Sequence, residues 1–413
     1  MGNFLISSAL ISSTLISSVF GSVLGSMVKG VRTVAFTSAI AIASSSAIQA
    51  APLRRLPPQQ IPLALGIDTE LWRQPDGRAG DKASLLKAVD HSLRYLRTGA
   101  AQTAYRNYPV PGVTRDRVLR SLVRFRALLQ AARRPEDLAA AVQREFDLYE
   151  SVGKDNQGTV DFTGYYEATY RASRTPTAEY RYPIYRLPTN FASWPKPHPT
   201  RLQLEGADGR QANRGLLRGQ ELVWLRDRLE AYLIQVQGSA RLTLTDGKVM
   251  TVGVAGKTNY PYVSLGKELV NAGKVRLEDL SLPFLLQYFQ KHPAELNTYI
   301  PRNNRFIFFS ETYGAPATGS LGVPVTGSRS IATDKSLMPP GALALIQTQL
   351  PFYNANQTLT LRPVHHFVLD QDTGGAIKSP GRVDVFMGTG SRAKDRAGLI
   401  NTPGKLYYLL LKR

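Results

Sequence analysis

The sequence predicts a mainly β protein with N-terminal helices, an α+β chain whose later strands close into a small barrel. Three observations lead there. Apolar residues recur at helical spacing in three segments before residue 150. From about residue 160 the helical period gives way to a tyrosine-rich stretch, and past Phe306 short strand-like runs alternate with Gly- and Pro-containing turns. At 413 residues the chain can bury a large core and has room for two domains.

The elements follow in order. Prolines at 57, 58 and 62 mark a surface lead-in. After Asp81, Leu86, Val89, Leu93 and Leu96 share one helical face. Thr114 is placed to cap a second helix that buries Val118, Leu122, Phe125 and Leu129. A third starts at Pro135, with Glu136 and Asp137 at its positive end, and should bury Leu138, Val142, Phe146 and Tyr149. Residues 161–188 read as strands and exposed loops, and 190–200 as a Pro- and Trp-containing loop. Residues 221–234 read as a helix, and 241–254 as a hairpin turning at Asp246-Gly247 in type I′ geometry. Helical segments are expected near 264–272 and 277–291, the second interrupted by Pro283. Strands are expected at 343–347, 359–361, 367–369, 383–387 and 406–411.

The first 50 residues have a different character. No charged side chain occurs from Met1 to Met27; Lys29 and Arg32 then precede a second apolar run, 34–48, that ends in small residues. Basic residues, an apolar run and small residues describe an export signal, and the same segment could instead remain as an apolar tether to a membrane. Lys and Arg outnumber Asp and Glu by 51 to 31, a net charge of +20 that suits a polyanionic partner. The basic residues are dispersed, so no nucleic-acid-binding arm stands out. With no cysteine, the chain can have neither a disulfide nor a thiolate metal site nor a lipidated cysteine.

The five histidines, at 91, 198, 292, 365 and 366, make no metal-ligand spacing, and no phosphate-binding glycine motif or nucleophile elbow occurs. No metal and no cofactor is implied. Asp372-Thr373-Gly374 matches the aspartic-protease triplet, but that chemistry needs two such carboxylates and the chain has one copy. The concentrated feature is 370–377, Asp-Gln-Asp-Thr-Gly-Gly-Ala-Ile, followed by Asp384 between Val383 and Val385. In a strand Asp384 faces opposite to both valines. Partial burial near other carboxylates is how a carboxylic acid stays protonated near neutral pH, and a structural role for turn aspartates is the competing reading.

At this point the chain resembles the MltA family of membrane-bound lytic murein transglycosylases. The resemblance rests on collinear motifs: Phe162-Thr163-Gly164-Tyr165-Tyr166, Tyr182-Pro183-Ile184-Tyr185-Arg186, Gln235-Val236-Gln237-Gly238-Ser239, Ala255-Gly256-Lys257-Thr258-Asn259, Pro324 to Arg329, Asp372 to Lys378, Asp384 and Arg396-Ala397-Gly398. It implies a double-psi β-barrel domain with an inserted second β-barrel domain and a groove between them. The first domain would comprise 51–166 and 313–413, the insert 167–312. It places Asp384 where the family's catalytic acid stands, with Asp372 and Asp334 at the other two positions of a three-aspartate element. Tyr165, Tyr166, Tyr182 and Tyr185 would stack on sugars, and Gln235, Gln237, Ser239 and Lys257 would hydrogen-bond N-acetyl or lactyl groups. The implied protein is an exported monomer acting on peptidoglycan strands without a nucleic-acid partner or a cysteine-linked lipid. A noncatalytic wall-binding module and a hydrolase using water are the alternatives.

Overall fold

A computed structural model describes residues 51–61, 65–74 and 79–413; the export signal or apolar tether expected in 1–50 lies outside them. After a short strand, β1 (Leu53–Arg55), the chain forms α1 (Lys82–Leu96), α2 (Gly99–Tyr105), α3 (Arg115–Ala131) and α4 (Pro135–Glu145). Val118, Leu122, Phe125 and Leu129 are buried as the helical period requires, and the Thr114 side chain accepts from Arg117 N. Phe146 and Tyr149 are buried too, but in a strand, β2 (Phe146–Ser151), not in the preceding helix. The backbone turns extended at Phe146, and β2 pairs with the C-terminal strand.

Next come β3 (Val160–Ser173), β4 (Tyr182–Tyr185), α5 (Arg201–Glu205) and β5 (Glu221–Leu225). The helix expected over 221–234 is therefore a strand followed by α6 (Arg228–Gln237). Asp227 sets the boundary by accepting from Leu229 N and Glu230 N, and Gly238, at φ +81°, ends the helix. Strands β6 (Ser239–Leu244) and β7 (Val249–Lys257) form the expected hairpin. Its turn is not type I′, which needs positive φ at both central residues: Gly247 has φ +81° while Asp246 stays in the ordinary region, and Gly247 N donates to Leu244 O.

Helices α7 (Leu265–Asn271), α8 (Leu282–Lys291) and α9 (Leu296–Tyr299) precede β8 (Ile307–Glu311). Pro283 does not interrupt α8; it sits in the first turn, where its missing N–H costs nothing. The chain ends in β9 (Ser330–Ala332), β10 (Leu343–Tyr353), β11 (Leu359–Asp372), β12 (Arg382–Thr389), α10 (Ser391–Leu399) and β13 (Asn401–Leu411).

The expectation of two β-barrels, one inserted in the other with a groove between, is corrected by the strand pairing. The thirteen strands form one sheet in the order β1-β2-β13-β10-β11-β9-β12-β3-β6-β7-β8, with β5 joining β3 to β4. The physical reason is the length of β3. Its first half pairs with β12 and β13, its second half with β6 and β5, so one continuous strand carries both regions. The main core gathers α1 and α3 against the β10–β11–β13 part of the sheet. Two smaller clusters are centred on Leu269 and Phe289, and on Phe306 and Phe308. Among the described residues no helix is long and apolar enough to cross a membrane.

Candidate active site

Asp384 lies on β12, with Val383 and Val385 fully buried on the opposite face, as strand alternation requires. The register sets its neighbours in a row across five strands: Asp372 opposite Ala332, Ala332 opposite Asp384, Asp384 opposite Thr163, and Thr163 opposite Asn401. Strands are spaced by about 4.8 Å, so Asp372 and Asp384 sit roughly 10 Å apart along the backbone row, with only the small side chain of Ala332 between them. Asp372 reaches this row only through an irregularity in β11. Asp370 pairs with Ile331 and Asp372 with Ala332, so the extra residue, Gln371, turns the two aspartates to different faces.

Asp370 points into the core, where Lys335, Thr333 and Tyr408 all donate to it. Asp372 instead accepts from Tyr165 Oη at 2.9 Å, and from Ser320 N and Thr373 N, each at 2.8 Å. Tyr165 arrives because it lies two residues beyond Thr163 on β3, hence on the same face; its ring packs 5.1 Å from Phe386. Between them Gly164 lets β3 approach α10, since a Cβ there would stand 2.7 Å from Ala397 Cα.

Thr163 donates to Asp384 Oδ1 and accepts from Arg382 Nη2 at 3.0 Å. Arg382 Nε stands 3.6 Å from the same carboxylate oxygen, and the Asp384 side chain keeps 21% of its surface exposed. Burial raises the pKa of Asp384 and the Asp372 charge adds to this; Arg382 opposes both, and the result is a carboxyl pushed up to about 6. Burial and the charge of Asp372 likewise push the Tyr165 phenol far up, keeping it a donor. Tyr262, between β7 and α7, is raised by burial and also feels the charge of Asp384.

Asp334 is 7% exposed and accepts from Ser336 Oγ, Ser336 N and Ser379 N. Burial works to raise it, but these bonds and nearby Lys378 outweigh burial and hold it below the usual carboxylate range. Its bonds pin the loop before β12 and none goes to Asp384.

The other predicted residues separate into two groups. Tyr166 and Tyr185 are core residues, 2% and 1% exposed. Gln235 accepts from Arg201 Nη2 and Ile307 N, and Gln237 accepts from Tyr166 N; both amides brace the framework. Tyr182 is half-buried on β4. Ser239 pairs opposite Gly253 at the start of β6. Lys257 is exposed at the end of β7, its ammonium pushed down by burial and by the charges of Arg305 and Lys378. Arg305 and Tyr262 in turn press on the Asp372 loop, where a Cβ at Gly375 would come 2.5 Å from Arg305 Nη1 and 2.9 Å from Tyr262 Cβ.

Sequence reasoning missed Thr163, Arg382 and Tyr262. Thr163 had a signal, its place two residues before Tyr165 in one strand. A cavity of about 470 Å³ at the carboxyl end of β12, lined by Ser328, His366, Met387, Arg392 and Arg396 among others, does not include Asp384. His365 is half-buried and His366 buried, on opposite faces of β11. No cluster of three metal-ligating side chains occurs among the described residues.

The site brings together one shielded carboxyl, a second carboxylate nearby and hydroxyls bonded to them, a set of groups able to hold a proton near neutral pH. Residues 161–310 match the MltA specific insert domain and 329–410 match the 3D domain. The chain is 31% identical over 265 residues to the membrane-bound lytic murein transglycosylase A of Escherichia coli K12, spanning 64% of this chain and 69% of the relative. The Vibrio cholerae protein of that name is 32% identical over 264 residues, spanning 63% and 68%. Among solved structures, E. coli MltA with bound chitohexaose superposes with a TM-score of 0.66 at 26% identity, covering 88% of this chain and 95% of that one. The chain belongs to the membrane-bound lytic murein transglycosylase A family.

Proposed function

We propose that Asp384 acts first as the acid and then as the base of the reaction. The chain is a lytic transglycosylase of peptidoglycan, exported and associated with the envelope. It cleaves the β-1,4 bond between N-acetylmuramic acid and N-acetylglucosamine and leaves a 1,6-anhydro end. The observation that carries the assignment is a carboxyl pushed up to about 6 by burial, yet with 21% of its side chain open.

Protonated Asp384 gives its proton to the bridging oxygen as positive charge develops at muramoyl C1. The carboxylate so formed takes the proton of the C6 hydroxyl, whose oxygen closes on C1. Acid and base are one residue because the nucleophile belongs to the substrate, and an intramolecular attack draws on proximity without a bound water. Asp372 raises the proton affinity of Asp384 through its charge, and Tyr165 and the loop amides hold Asp372 in place. Asp334 contributes by fixing the loop ahead of β12. Lys257 and Tyr182 are proposed sugar contacts. The E. coli relative's chitohexaose supports an N-acetylglucosamine-type ligand. We further propose 51–166 with 313–413 as the domain carrying Asp384 and 167–312 as the insert.

Digestion of purified peptidoglycan by the wild type and Asp384→Asn, followed by mass analysis of released muropeptides, tests this. Products lighter by one water and absent with Asp384→Asn are expected. Reducing ends would mean a hydrolase, and retention on the polymer without release would mean a binder.

A further inference from the structure

Arg382 has five N–H groups and no acceptor, so its 3.0 Å bond to Thr163 Oγ1 has only one direction. The Thr163 hydroxyl therefore accepts from Arg382, and its single hydrogen is left for Asp384 Oδ1, to which it donates. An oxygen already receiving a hydroxyl hydrogen is the poorer place for the acid's own proton. That proton then belongs on Oδ2. A second observation concerns Arg382 Nε, which is buried and makes no hydrogen bond. A donor in that condition is unfavourable. It stands 3.6 Å from Asp384 Oδ1, too long for a hydrogen bond but within ion-pair distance, so that a small closure would bond it to a carboxylate.

We propose that Arg382 is a positioning residue acting through Thr163: it directs the proton of Asp384 onto Oδ2 and holds its Nε–H ready for the carboxylate left by proton transfer. The inference rests on Asp384 being the acid. A bond that strengthens only as charge develops lowers the barrier without tightening the ground state. Arg382 thus favours both halves of the cycle, releasing the proton to the leaving oxygen and sustaining the base that follows. The other groups facing Asp384 are Asp372 from β11, Thr163 and Tyr165 from β3, and Tyr262 from the segment after β7. Arg382 is the one cation among them, so its removal has a definite sign: Asp384 holds its proton to higher pH.

The experiment is the pH dependence of kcat and kcat/KM for anhydro-muropeptide release from peptidoglycan. It compares the full-length wild type with Arg382→Gln, Arg382→Lys, Thr163→Val, Thr163→Ser and Asp384→Asn, with thermal unfolding as the check on folding. Arg382→Gln is expected to lower kcat roughly tenfold and to move the alkaline limb of kcat/KM up by about one pH unit. Arg382→Lys should return the limb to its wild-type position, since charge sets it, with only partial recovery of kcat, since an ammonium lacks the separate, fixed nitrogens that face Thr163 and Asp384. Thr163→Ser should follow the wild type and Thr163→Val should lose rate. An Arg382→Gln enzyme that folds but keeps the limb unmoved overturns the inference while Asp384→Asn stays inactive. Activity of Asp384→Asn would instead remove the reading beneath it.

Discussion

Two of the arginines that face aspartates, Arg329 and Arg382, differ in what they leave undone. Arg329 is fully buried, and its Nε, Nη1 and Nη2 together reach both oxygens of Asp68, both oxygens of Asp81 and the Phe367 carbonyl, at 2.5 to 3.3 Å. Asp68 also accepts from Phe367 N at 3.0 Å. That network ties the segment before α1 to the chain at β9 and β11. Arg382 serves Thr163 with one nitrogen and leaves Nε unbonded beside Asp384. A completed network fixes a shape, because every change in it strands a charge. An incomplete one at a partly open carboxyl leaves a donor to spare, which the proposed reaction would use when Asp384 gives up its proton.

The largest effect that would break this comparison concerns the reaction. Asp384→Asn should lower anhydro-muropeptide release by about 10²–10⁴-fold, the usual weight of a general acid; a loss under tenfold would put the acid elsewhere. Arg329→Met should cost about 3–5 kcal/mol in denaturant unfolding, because it leaves Asp68 buried without a counter-charge. A loss below about 1 kcal/mol would mean the closed network carries no more than an ordinary surface pair.

Asp384→Asn also sharpens the contrast through stability. The folded pKa of Asp384 is raised, to about 6. Its stabilising contribution is therefore complete below the unfolded value and fades as pH rises through the folded one. The wild type consequently carries a penalty above about pH 6 that the asparagine variant lacks, roughly 3 kcal/mol. Unfolding at pH 7 should find the variant more stable, and unfolding near pH 4 should find the two alike. Equal gains at both pH values would separate the effect from titration.

Smallest is Asp334→Asn. The carboxyl sits below its usual range, so its contribution is present above the unfolded pKa and lost as pH falls through the folded one. A stability loss of roughly 1 kcal/mol at pH 7 with turnover within about twofold is expected. A loss of turnover comparable to that of Asp384→Asn would move Asp334 from the loop into the reaction.

Much was legible in advance where local chemistry decides. Thr114, Pro135 and Ser264 begin helices as their side chains and ring geometry require, and the spacing of Val118, Leu122, Phe125 and Leu129 named a buried face. Alternation put Asp384 opposite two buried valines. The segment 221–234 misled because β5 and α6 are both apolar and abut; only Asp227, read as a cap, marks their border.

What the sequence by itself determined, then, is local: caps, periodic faces, the absence of thiol chemistry, and an aspartate set apart from its apolar neighbours. The tertiary structure alone decided that β3 runs through both regions, making one sheet where two barrels were expected. It also decided which aspartates meet. Asp370 and Asp372 differ by two positions, a spacing that keeps side chains on one face of a regular strand; the irregularity at Gln371 sends the first into the core and the second towards Asp384. Register is a property of paired strands, set by partners as far apart in the chain as Ala332 and Asp372 or Thr163 and Asp384, and no local pattern contains it.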